Sequence, residues 1–189
     1  MNNKNNSKEL FFYVILILEV SMKKVLIIFI SIILLTGCSL IGKQNGIPTS
    51  FGRYEIPNTW QMNRAHSTKN KYFFTHKRDK HNPPNNISVE RGTNHYAKKD
   101  HMAFKSAIMT QLLMQTKGKG ATVTGSGWTT DKGNICYTFT VEAKDHTTIQ
   151  HYIVGDYEYI LVHETVWYGD GQDVHNAAKT IVNSFEWKK

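Results

Sequence analysis

The sequence predicts an α+β domain: an antiparallel β-sheet of about six to seven strands with two main helices packed on it. Three observations predict it. Between Ala121 and Trp167 four segments of strand character are separated by short turns. Two other segments, following Asp100 and following Asp170 or Asp173, place apolar residues at helical spacing. The 189 residues are 40% hydrophobic and 12% aromatic with only 4 Pro, the composition of a folded chain rather than a disordered one.

Taken in order, Phe51 to Ile56 reads as a short strand ended by Pro57, with Trp60 beyond it as a core anchor. Lys71 to Lys77, centred on Tyr72, Phe73 and Phe74, and Asn86 to Arg91, with Ile87 and Val89 alternating, read as the next two strands. The Pro83-Pro84 stretch between them is a turn or loop. Asp100 is positioned to cap a helix whose Phe104, Ala107, Ile108 and Leu112 share one face, with Met109 and Leu113 widening the stripe until Gly118 stops it.

Four strands follow: Ala121 to Thr129, Asn134 to Ala143, Thr147 to Val154 and Tyr157 to Trp167. Asp131-Lys132-Gly133, Lys144-Asp145-His146 and Gly155-Asp156 supply hairpin turns, so these strands form an antiparallel meander. Ile135, Tyr137, Phe139 and Val141 share one face, which needs a cover. The closing helix, with Val174, Ala177, Ala178, Ile181, Val182 and Phe185 at helical spacing, is expected to supply it.

Ahead of this domain stands a targeting segment. Lys23 and Lys24 precede Val25 to Leu35, eleven residues with only Ser31 polar, too few for the roughly 20 needed to span hydrocarbon. Leu35-Thr36-Gly37-Cys38 then resembles the bacterial lipobox, so residues 22–37 read as a lipoprotein signal peptide cut between Gly37 and Cys38. That resemblance implies a diacylglyceryl group on the Cys38 sulfur and further acylation, such as palmitate, on its amine. Two or three acyl chains anchor stably at about 0.8 kcal/mol per buried CH₂. The alternative is an uncleaved anchor ending at Cys38. Residues 1–21, with a polar start and the apolar run Leu10 to Leu18, read as an upstream extension from a mis-called start at Met1 rather than Met22; a two-part hydrophobic hairpin is the alternative. Residues 38–50, with Gly42, Gly46 and Pro48, read as a lipid-anchored tether, and residues 51–189 as the domain.

From Cys38 onward the chain holds 19 basic and 13 acidic residues, a formal charge of +6. This balance suits a protein held beside anionic lipid or wall polymer. No arginine-rich helix or RNA-stacking motif points to nucleic acid. Cys136, the only cysteine besides Cys38, lacks a nucleophile's flanking signature and reads as a small packed hydrophobe.

The element order resembles the PsbP-like fold, a family that includes the photosystem subunit PsbP, the nuclear-import factor Mog and many small bacterial lipoproteins. The resemblance covers roughly Phe51 to Lys189 and rests on the Phe51…Ile56-Pro57-Asn58-Thr59-Trp60 opening and the closing Ala178-Lys179-Thr180-Ile181-Val182-Asn183-Ser184-Phe185 helix. It implies an accessory or binding module rather than a catalyst.

No nucleophile elbow or phosphate loop occurs, and Gly118, Gly120, Gly125 and Gly127 read as turns or a bulged strand. Glu142, Glu158, Glu164 and Asp156 are the acids available to a paired-carboxylate mechanism, but strand-face acids are usually solvated. Nine histidines offer the pairs His76 and His81, His95 and His101, or His151 and His163, without metal-site spacing. Tyr152, Tyr157, Tyr159, Trp167 and Tyr168 either floor a ligand groove, face a partner protein or are core and hairpin packing, with packing favoured.

The sequence therefore leads to an expectation of no catalytic, metal or cofactor residues. It describes a membrane-anchored protein on the extracytoplasmic face that binds a protein or envelope partner. The alternative is a tethered solute- or metal-binding protein serving a transporter.

Overall fold

The computed structural model describes residues 46–189; the signal peptide, Gly37, Cys38 and the segment before Met22 lie outside the described residues. Gln44–Lys189 forms a compact unit. Its strands are β1 (Ile47–Pro48), β2 (Gly52–Tyr54), β3 (Trp60–Met62), β4 (Lys71–His76), β5 (Asn86–Thr93), β6 (Thr122–Thr129), β7 (Ile135–Glu142), β8 (Thr147–Val154), β9 (Glu158–Val166) and β10 (Glu186–Trp187). Its helices are α1 (His101–Thr116) and α2 (Gln172–Ser184).

The main sheet has seven strands in the order β3-β4-β5-β9-β8-β7-β6, and every pairing is antiparallel. The meander β6 to β9 is as the turns require. β5 joins β9 with Val89 opposite Val162, bringing the first strands of the domain onto the meander's free edge. A smaller sheet, β1-β2-β10, gathers both ends of the unit.

Two corrections concern the amino-terminal side. The strand expected over Phe51 to Ile56 shrinks to Gly52–Tyr54, and Trp60 belongs to a strand of its own. The fold also begins before Phe51: Ile47 lies opposite Tyr54, so the end of the stretch read as tether is part of the small sheet. Strands of two or three residues are too short to show alternation, which is why they escape a periodicity reading.

The two helices cover opposite faces of the main sheet. α2 buries Val174, Ala177, Ala178, Ile181 and Val182 in one cluster with Ile87, Val89, Cys136, Ile153, Ile160 and Val162. α1 buries Phe104 and Leu112 in a second cluster with Tyr137, Phe139, Tyr152, Val154 and Leu161. Neighbours along one strand, such as Cys136 and Tyr137 or Ile153 and Tyr152, thus belong to different cores, as strand geometry demands. The face carrying Tyr137 and Phe139 is consequently covered by α1, not by the closing helix as expected. Period-two alternation identifies which residues share a face but not which helix lands on it.

Close approach at two glycines lets α1 and the rings settle. A Cβ at Gly125 on β6 would stand 2.8 Å from Met109 Cε and 2.9 Å from the Phe139 ring, and one at Gly127 would stand 2.7 Å from the Tyr137 ring. These are positions where a side chain would push on the core. α1 follows a 3₁₀ turn, Lys98–Asp100, and Asp100 makes no side-chain capping bond, contrary to its expected role. α1 ends at Thr116, two residues before Gly118 at φ +75°. α2 is preceded by Gly171 at φ +67°, and the Asp170 carboxylate accepts the Gln172 N–H at 3.1 Å. Asn134 donates its side-chain amide to the Phe185 carbonyl at 2.9 Å, fastening the exit of α2 to the β6–β7 turn.

Candidate functional site

The one fully buried carboxylate among the described residues defines the candidate site. Alternation along β9 puts Glu164 in the row of Ile160, Val162 and Val166, facing α2, and it is 1% exposed. An isolated charge there would cost several kcal/mol. Two imidazoles offset that cost. His151 Nε2 on β8 lies 2.6 Å from Glu164 Oε1, and His175 Nδ1, in the first turn of α2, bonds Oε2. The carboxylate also sits beside the amino-terminal, electropositive end of α2.

The network continues across the sheet. Thr138 on β7 is in register with His151, and its Oγ1 lies 2.9 Å from His151 Nδ1. Trp128 on β6 donates its indole N–H to Thr138 Oγ1 at 3.2 Å. With Glu164 ionised, one consistent direction runs through the chain: Trp128 donates to Thr138, Thr138 to His151, and His151 to Glu164, which also accepts from His175. Hydroxyl, imidazole and carboxylate are thus aligned in an order able to relay a proton. Burial pushes the Glu164 carboxyl up, yet the bonds from His151 and His175 outweigh it and hold it below the ordinary range. The bond to Glu164, working against burial, raises His175 above the ordinary imidazole value.

The acids and histidines singled out in the sequence separate differently than paired. Glu164 is buried rather than solvated, whereas Glu158 pairs with Arg91, Glu142 accepts from Thr122, and Asp156 accepts the Lys98 N–H. His151 and His163 lie on opposite faces of the sheet; the partner His151 finds is His175, through Glu164. His81 pairs with Asp79, His101 meets the Tyr137 hydroxyl, and His76 packs on Trp60. Among the described residues no three ligating side chains converge as a metal site. His151 and His175 instead bond the two separate oxygens of the Glu164 carboxylate.

Cys136 is fully buried, and burial pushes its thiol up to about 12. Tyr152 and Tyr159 pack against Phe104, Trp167 lies over His146, and Tyr168 donates to Asp79 beside His81. Tyr157 alone of the aromatic set is exposed, at 56%. The signal for Glu164 was present in the sequence, because Ile160, Val162 and Val166 set the phase of an inward row that contains it. His175 carries a weaker signal, lying beside Val174 and three residues before Ala178 on the inward stripe of its helix.

The architecture is a PsbP-like fold. The chain matches the solution structure of cyanobacterial PsbP (CyanoP) from Synechocystis sp. PCC 6803 with a TM-score of 0.50 over 80% of this chain and 97% of that one, at 14% identity. A crystal structure from Bacteroides thetaiotaomicron VPI-5482 gives 0.42 over 77% of this chain and 49% of that one at 12% identity. A mutant of the protein Mog1 gives 0.43 over 70% and 80% at 8% identity. The fold assignment rests on the first of these. No family model matches the chain, and no curated protein matches it.

Proposed function

We propose that this chain is a non-enzymatic, lipid-anchored accessory or binding module on the extracytoplasmic face of a cell membrane, serving a protein or envelope partner. The observation that carries the reading is the register of Lys23-Lys24, the apolar run Val25 to Leu35 and the Leu35-Thr36-Gly37-Cys38 box, placed just ahead of a compact unit starting at Gln44. The PsbP-like fold agrees with an accessory role by analogy only. Among the described residues no helix is long and apolar enough to cross a membrane. The test is growth of the native host with a labelled fatty acid. The protein takes up label and sediments with membranes, and Cys38→Ala loses both; an unlabelled protein that keeps residues 22–37 refutes the anchor.

A second reading, a tethered solute- or metal-binding protein, is favoured by one observation: His151 and His175 flank a single buried carboxylate. It requires both rings to exchange that carboxylate for a shared ion. Zinc titration by calorimetry decides it, with a saturable heat lost in His175→Ala as the supporting result.

A further inference from the structure

We propose that the outward face of α1 rests on an anionic lipid surface, so that the tethered domain lies on the membrane in one orientation. The inference builds on the anchor proposed above and names the surface the domain uses. α1 is an unusual surface helix. From Ser106 to Thr116 it carries no charge, although only Leu112 in that span is buried. Large hydrophobic side chains exposed among the described residues are Met102 at 59%, Leu113 at 52%, Met114 at 73% and Tyr157 at 56%. Three lie on α1. The fourth is in a turn tied to its approach, since Tyr157 N–H donates to the Tyr96 carbonyl and Asp156 accepts the Lys98 N–H.

The polar residues between them are already satisfied. Ser106 donates its hydroxyl to the Met102 carbonyl at 3.0 Å, and Thr110 donates to the Ser106 carbonyl at 2.9 Å. Hydroxyls bonded back to the helix lose little when water is withdrawn. A shallow groove along the same side is lined by Tyr96, Ala103, Ala107, Thr110 and Met114.

Charge selects the occupant. Between Ala97 and Ala121 stand Lys98, Lys99, Lys105, Lys117 and Lys119 against Asp100 alone. Ion pairs to Arg or Lys among the described residues use Arg53, Lys71, Arg91 and Lys132, none of these five. Lysines on both sides of the uncharged, partly apolar span Ser106 to Thr116 attract anionic headgroups, each by about 1 kcal/mol near the surface. The tether favours a membrane over a protein partner. Seven residues, or eight peptide steps, separate Cys38 from Gly46, a reach of at most about 29 Å, so the lipid surface is always at high effective concentration and weak contacts suffice.

The test uses the Gln44–Lys189 unit without acyl chains, because both cores lie within it. It is sedimented with vesicles of phosphatidylcholine alone or mixed with phosphatidylglycerol. The unit binds the anionic vesicles and not the neutral ones. Reversing two charges, Lys117→Glu with Lys119→Glu, lowers partitioning roughly ten-fold or more. Leu113→Asp with Met114→Asp does the same, while Lys77→Glu with Lys80→Glu, equal in charge but remote in sequence, changes it much less. All these positions are exposed, and circular dichroism verifies that each variant is folded. No binding to anionic vesicles overturns the inference, as does equal binding to neutral ones or an equal loss in the Lys77/Lys80 variant. A partner protein that protects Met114 without lipid also overturns it. Fatty-acid labelling of Cys38 in cells is scored separately, so vesicle binding by the unit together with an unlabelled Cys38 would refute the anchor alone.

Discussion

Glu164 on β9 and His175 in the first turn of α2 are hydrogen-bonded across the interface between the main sheet and the closing helix. The bond places an ionisable latch inside the larger of the two cores. Its sign with pH follows from the two partners. Glu164 is held below its ordinary 4.5, so its contribution is present above that value and is lost as pH falls through the lowered one. His175 is raised above 6.5, so its contribution is complete below that value and is lost as pH rises through the raised one. Both operate together between those limits.

The urea midpoint of unfolding therefore peaks at about pH 5 to 6 as far as this latch is concerned. The neighbours that enter are the His151 ring on Glu164 and the Asp170 carboxylate on His175. Glu164→Gln keeps the shape, removes the charge and flattens the profile, costing about 1–3 kcal/mol near the peak. A Glu164→Gln protein with an unchanged pH profile would remove Glu164 from this role. Partial exposure of His175 screens its side of the latch.

Tyr54 is fully buried on β2, and its hydroxyl has no hydrogen-bond partner among the described residues. Burial, with Tyr72 adding to it, pushes its ionisation far upward. Tyr54→Phe keeps the ring against Phe74 and drops the unmet hydroxyl. Denaturant titration should find stability unchanged or raised by up to about 1 kcal/mol. A loss beyond that would mean the hydroxyl has a partner after all.

Gly125→Val sets branched methyls where Met109 and Phe139 already meet. The expected loss is about 1–3 kcal/mol, concentrated on one side of the sheet. Amide exchange should accelerate along α1 and leave α2 protected. Uniform acceleration in both helices would show that the two cores melt as one.

Cys136 is the free thiol of the described unit. Its burial and its pKa of about 12 keep it from reacting with an aqueous disulfide reagent in the folded protein. Modification should follow the unfolding equilibrium across a urea series. Rapid labelling in buffer alone would place the side chain elsewhere.

Much of this fold was legible because its long elements are regular. Ile135 to Val141 alternates cleanly, and Val174 to Phe185 repeats at helical spacing, so strand and helix could be assigned from the pattern alone. β1, β3 and β10 could not, because two or three residues carry no period and are set by pairing with remote partners such as Ile47 with Tyr54. The helix covering Tyr137 was misassigned for a related reason: a strand face attracts any apolar helix, and the choice is made by topology. Glu164 illustrates a different limit. Its phase was visible, but its neutralising partner, His175, is eleven residues away on another element, and only the packing of α2 brings them together.

The central strands divide the interior as a partition wall does. Along β8, Tyr152 and Val154 answer to one helix and Ile153 to the other. Volume removed at an even position of β8 must be refilled from one room and at an odd position of the same strand from the other. Descendants of this sequence can therefore refurnish either room without a matching change next door, and their substitutions should co-vary by the face of the sheet they occupy before they co-vary by distance along the chain.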